Sequence, residues 1–240
     1  MTTRRILATS GGFIPGPVQQ TVRPGTMLLD ALTVTGASRP RVCLVLTASG
    51  DADAYYAMLY ESFNAVGCDV TQLRLFPQPT APPEERLVGC DLVWVGGGSV
   101  ANLLSLWRLH GVDQAMRAAW EAGVVLAGVS AGSLCWHVGG TTDSFGPTLR
   151  AIDTGLALVP YANGVHYDSE AQRRPLLHRL VGEGALPLAY ATDDHVGIWY
   201  RDDEFERVVA DQPVDPDTGP AAYRVERTTD GVIETRLSVE

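Results

Sequence analysis

Three short runs that are almost wholly apolar constrain this chain most: Val42–Thr47 (VCLVLT), Asp91–Val95 (DLVWV) and Gly123–Gly128 (GVVLAG). A strand wet on one face alternates polar and apolar residues, whereas an unbroken aliphatic run belongs to a strand buried on both faces. Helical spacing lies between the runs. Tyr55, Met58, Leu59 and Phe63 share one face of Ala52–Val66, and Val100–Leu109 and Val112–Ala122 repeat the pattern. Arg4–Thr9 reads as a first strand ending in Ser-Gly-Gly, followed by a Gly/Pro-rich loop through Gly25. Val70–Phe76 reads as a further strand, and the four prolines of Pro77–Pro83 enforce a loop. Strand and helix alternating in this way predict an α/β protein, a mostly parallel sheet with helices on both faces.

The pattern loosens after residue 130. Glu170–Val181 reads as a helix and Leu188–Thr192 as a strand. Val196–Tyr200, Glu206–Ala210, Ala221–Arg227 and Gly231–Leu237 read as short strands joined by turns, and are expected to extend the sheet as antiparallel hairpins. With no repeat or linker, one domain over 1–240 is expected. The net charge of −10 argues against a nucleic-acid partner. No run approaches the roughly 20 apolar residues that span a bilayer, so no membrane partner is expected. The N-terminal segment lacks the apolar stretch of a signal peptide. Four cysteines without a CxxC pair or zinc spacing predict reduced thiols in a cytoplasmic protein, with Cys43 in the core.

The chemistry centres on Gly128-Val129-Ser130-Ala131-Gly132, a G-x-S-x-G placed directly after an apolar strand and before a helical stretch. A sharp turn there exposes the serine hydroxyl above the carboxyl ends of the strands, which makes Ser130 the candidate nucleophile. It needs a base. Of five histidines, His166 follows a short strand-like piece and is the leading candidate, with His195 next; His137, His110 and His178 read as packing or surface residues. The base needs an acceptor. Asp143, in a Gly-flanked loop beyond the elbow, leads over Asp168, Glu170 and Asp194. Ala131, with Gly97 or Gly98, can supply the two N–H donors of an oxyanion hole.

Taken in order, Val95-Gly96-Gly97-Gly98 with Asn102-Leu103-Leu104, the Ser130 elbow and His166-Tyr167-Asp168 resemble the peptidase E / cyanophycinase-like serine peptidases over roughly Arg4–Tyr200. The resemblance implies a class I glutamine-amidotransferase-like fold: a three-layer α/β/α arrangement around a flavodoxin-like sheet. It implies Ser130 as nucleophile, His166 as base and an acid in the loop after the elbow, hence Asp143. It implies hydrolysis of short peptides, several members preferring an aspartyl residue, and no metal or organic cofactor. The expected partners are a small peptide substrate and, for assembly, a second copy in a homodimer. Asn102, Arg173 and Arg174 are candidate substrate-binding residues; the two arginines read equally as an exposed helix face.

Three other readings are weaker. A glutamine amidotransferase needs cysteine at the elbow. In an α/β-hydrolase esterase the histidine comes late in the chain, whereas here it follows the serine by only 36 residues. A non-catalytic small-molecule-binding domain would have no need of Ser130 and His166.

Overall fold

The computed structural model describes residues 3–239. Its central sheet has seven strands in the order Glu204–Ala210, Val196–Arg201, Arg5–Thr9, Val125–Val129, Leu92–Val95, Arg41–Val45, Asp69–Leu73. The last five are mutually parallel, and the hairpin 196–210 adds to Arg5–Thr9 antiparallel. The apolar runs face both ways. Ile6, Ala8, Cys43, Val45, Val93, Val95 and Leu126 enter one core, while Leu7, Val42, Leu44, Leu92, Trp94 and Ala127 enter the other. The helices Thr26–Val34 and Asp53–Ala65 cover the second face. Val100–His110 and Val112–Glu121 cover the first. Each aliphatic side chain so buried contributes about 1.5–3 kcal/mol.

The region after the elbow departs from the expected hairpin extension. Only the hairpin 196–210 joins the central sheet. A second, six-stranded sheet runs Gly231–Leu237, Ala222–Thr228, Ala189–Thr192, Ala162–Gly164, Gly139–Thr142, Arg150–Ile152. Its middle three strands, Ala189–Thr192, Ala162–Gly164 and Gly139–Thr142, are parallel. Two of them, Gly139–Thr142 and Ala162–Gly164, are short and rich in Gly, Ala and Asn, which are depleted in strands, whereas Ala189–Thr192 lies within the strand read at 188–192. The helix Arg173–Gly182 packs Leu177, Leu180 and Val181 against the sheet. Tyr190 of this sheet meets Tyr200 and Phe205 of the central sheet, with ring centroids 6.1 and 5.1 Å apart. The supposed loop before Gly25 contains a small hairpin, Phe13–Pro15 with Val22–Pro24, and Pro83 starts a short helix, Pro83–Val88, at the first-turn position that proline tolerates. The helix after Ser130 is a single turn, Ala131–Leu134.

Candidate active site

The elbow is real and tight. Ser130 has φ 55° and ψ −110°, a conformation a non-glycine residue holds only under restraint. A Cβ on Gly128 would lie 2.4 Å from Gly132 O, and one on Gly132 would lie 2.2 Å from Val95 O, so both flanking glycines are required by close backbone approach. The Ser130 N–H donates to Thr9 O at 3.0 Å, which ties the turn to the neighbouring strand. Gly97 abuts the serine: a Cβ there would lie 3.3 Å from Ser130 Cβ. Among the described residues no backbone carbonyl takes the N–H groups of Gly97, Gly98 or Ala131. Gly97 also faces the Tyr55 hydroxyl. Burial raises that hydroxyl's pKa, and the Gly97 N–H opposes the rise. Gly98, at φ 133°, is pressed against Ala48.

His166 stands at φ 52° just past the strand Ala162–Gly164. Its backbone N–H donates to Ser10 Oγ at 3.0 Å. Thr9 and Ser10 are consecutive at the carboxyl end of the first strand, so one dipeptide carries both the elbow and the histidine. Ser10 is buried and also pairs with Thr192 Oγ1 at 2.7 Å. Sequence reasoning took Ser10-Gly11-Gly12 only as a turn. The available signal was a hydroxyl residue before two glycines at the carboxyl end of a buried strand, where ligand crevices of α/β sheets form.

The carboxylate on His166 is Asp194. His166 Nδ1 donates to Asp194 Oδ1 at 2.6 Å, leaving Nε2 free among the described residues. Burial pushes the Asp194 carboxyl up, but hydrogen bonds from His166 and Ser169 and the nearby imidazoles outweigh it and hold the group below the usual range. Asp168 supports Asp194 from behind, accepting its backbone N–H at 2.9 Å.

The leading expectation for the acid is therefore not what the structure assembles. Asp143 is 62% exposed and lies 4.0 Å from Arg173 rather than against His166. Glu170 also turns to Arg173, at 2.8 Å. The parallel strands of the second sheet explain the competition. Asp143, His166 and Asp194 each follow the carboxyl end of one of three adjacent strands, with the histidine on the middle one. Both acids thus flank His166, and the imidazole turns to one of them.

The arginines are also reassigned. Arg173 is 2% exposed and spent on Glu170 and the carbonyl of Thr141. Arg174 pairs with Glu234 and stacks on Tyr167 and Tyr223, each ring centroid 4.5 Å away. Neither is free for a substrate carboxylate, and neither belongs to an open cationic face. Asn102 is exposed in the first turn of its helix, where its N–H is capped by Ser99 Oγ at 3.3 Å. His195 is not on Ser130's strand neighbours but on Asp211, with Nδ1 to Oδ2 at 3.1 Å. His137 is fully buried, as the packing reading requires. Among the described residues no three His, Cys, Asp or Glu side chains gather as a metal-binding group, and no helix is long and apolar enough to cross a membrane.

An α/β/α sheet with a strained serine elbow and a carboxylate-held histidine beside it defines a hydrolase scaffold of the serine type. Residues 6–208 match the model of peptidase family S51. The chain belongs to that family and is a serine-type peptidase. It is 34% identical over 239 residues to "Uncharacterized peptidase YgaJ" of Bacillus subtilis (strain 168), covering 99% of this chain and 98% of that one. Two solved structures share the fold. One, of a protein from Listeria monocytogenes EGD-e named as a peptidase E, superposes with a TM-score of 0.61 at 18% identity, covering 99% and 100% of the two chains. The other, a peptidase from an acI-B1 Actinobacterium, superposes with a TM-score of 0.68 at 13% identity, covering 98% and 94%.

Proposed function

We propose that Ser130, His166 and Asp194 act together to hydrolyse short peptides through an acyl-enzyme. The observation that carries this reading is the hydrogen bond from His166 Nδ1 to Asp194 beside an elbow that shares the Thr9–Ser10 anchor. Asp194 fixes the tautomer that leaves Nε2 bare, so Nε2 takes the Ser130 proton as Oγ attacks the peptide carbonyl. The N–H groups of Ala131 and Gly98 are the donors offered to the developing oxyanion, since the Gly97 N–H is turned to the Tyr55 hydroxyl, and one such donor contributes about 10²–10³ in kcat. Collapse of the tetrahedral species breaks the C–N bond, and His166 returns its proton to the leaving amine. Water then repeats the sequence on the acyl ester.

Aspartyl dipeptides are the substrate reading carried by the family resemblance. With Arg173 and Arg174 both engaged, its cation must come from elsewhere. The test is hydrolysis of Asp-Leu, Leu-Leu and N-acetyl-Asp-Leu at fixed ionic strength, beside labelling by a fluorophosphonate. Labelling at Ser130 with turnover of free dipeptides supports the reading. Absence of both labelling and turnover in a folded protein overturns it.

A further inference from the structure

The molecule holds a second histidine–aspartate pair around the same anchor. His195, like His166, has a left-handed backbone, at φ 64°. Its N–H donates to Ser10 O at 3.1 Å, as the His166 N–H donates to Ser10 Oγ at 3.0 Å. Both imidazoles give Nδ1 to an aspartate, His166 to Asp194 and His195 to Asp211. The second pair is pinned as firmly as the first. Asp211 N–H donates to His195 O at 2.9 Å, and Asp211 Oδ2 also accepts from Gly12 N–H at 2.8 Å. The Asp211 side chain is 0% exposed while the ring it holds is 54% exposed. A surface ion pair would leave both partners wet; here a buried carboxylate fixes an open ring. Asp194 lies next to His195 in the chain, and the His195 ring is close enough for its charge to act on the Asp194 carboxyl.

The proposed mechanism uses one imidazole and leaves this one without a task. Its Nε2 has no partner among the described residues. With Nδ1 held by the buried Asp211, Nε2 is the ring edge left to solvent, and a charge-assisted hydrogen bond between an imidazole and a carboxylate is short and strong. We infer that His195, set by Asp211, is the substrate-carboxylate receptor of this site. The inference rests on the peptidase reading above, because it assigns the substrate class of that same site. The carboxylate has two sources in a dipeptide, an acidic side chain on the acyl residue or the C-terminus of the leaving residue, and the shared chemistry is the same.

The test is binding, so that it does not depend on turnover. In the Ser130→Ala protein, calorimetry would compare Asp-Leu-amide (side-chain carboxylate only), Leu-Leu (C-terminal carboxylate only) and Leu-Leu-amide (neither). Asparagine tolerates a left-handed backbone, so His195→Asn removes the imidazole while keeping the turn. In the Ser130→Ala background we expect Leu-Leu-amide to bind weakest. We expect His195→Asn to weaken one of the two carboxylate-bearing peptides roughly ten-fold, and Leu-Leu-amide less than two-fold. The peptide affected identifies the source. Equal affinity for all three peptides, an equal loss on all three, or no loss on any overturns the inference. Carboxylate-dependent binding with no hydrolysis by the unmutated protein would instead count against the peptidase reading alone.

Discussion

The two sheets contribute unlike halves of the site. The central sheet holds Ser130 by packing: strands buried on both faces, and an elbow whose glycines sit against Val95 and each other with no room for a Cβ. The second sheet holds His166 and Asp194 by polar contacts. Asn163, 1% exposed, accepts from Ser133 Oγ at 2.9 Å and donates to Tyr190 O at 3.1 Å. His137 bridges the same region, with Nδ1 donating to Ser133 O at 2.9 Å and Nε2 accepting from the Tyr200 hydroxyl at 3.0 Å. Arg173 clamps Thr141 to Glu170. Short strands of small residues bury too little apolar area to fix themselves, so buried hydrogen bonds do the fixing, and these are costly to break singly. A serine set by packing and a histidine set by hydrogen bonds should respond differently to mutation and to acid.

The largest effect tests the two halves together. Ser130→Ala and His166→Ala should each lower kcat by about 10⁶, because members of such a unit are not additive. Far-UV dichroism should stay unchanged in both. A folded, active Ser130→Ala protein would remove the central sheet from the chemistry.

Next comes the choice between the strands beside His166. Asp194→Asn should cost about 10⁴ in kcat through the wrong imidazole tautomer. Asp143→Asn, at an exposed carboxylate facing Arg173, should stay within about ten-fold, as no reacting group depends on it directly. Steady-state kinetics in which Asp143→Asn is the more damaging change would return the acid to the neighbouring strand.

The third effect concerns stability. Burial, opposed by the hydrogen bond to Ser133 O, lowers the His137 pKa to about 4. Between about pH 6.5 and 4 the unfolded chain binds a proton that the folded one refuses, so stability is full above this window and falls as pH drops through it. The difference amounts to about 3 kcal/mol. The urea midpoint of the wild type should fall over this range relative to that of His137→Gln. Parallel midpoints would mean that acid reaches the second sheet through another group.

Smallest is Arg174→Ala. Its guanidinium is held between two tyrosine rings and Glu234, so KM for Asp-Leu should change by less than about two-fold, while the melting temperature falls slightly. A large rise in KM confined to Asp-Leu would make Arg174 a substrate contact after all.

Much of this was legible in the chain. The continuous runs at 42–47, 91–95 and 123–128 announce doubly buried strands, and Gly-x-Ser-x-Gly after the last of them announces the elbow, because both signals are local in sequence. His166 was legible from its place after a strand-like piece. The second sheet was legible only in part: 188–192, 221–227 and 231–237 read as strands, but Gly139–Thr142 has neither alternation nor bulk, and the gathering of these strands into a separate sheet rests on pairings across long sequence separations. The acid was undecidable for a related reason. Asp143 and Asp194 both end strands that neighbour the one carrying His166, and only the packed structure turns one toward Arg173 and the other toward the imidazole. The arginines were misjudged because charge in a sequence says nothing of the partners that neutralise it. Periodicity and turn chemistry, which depend on neighbours along the chain, determined the strands of the central sheet and the elbow that carries Ser130. Side-chain pairing across strands, which depends on neighbours in space, decided which carboxylate meets His166, the contacts of Ser10 and the second histidine pair.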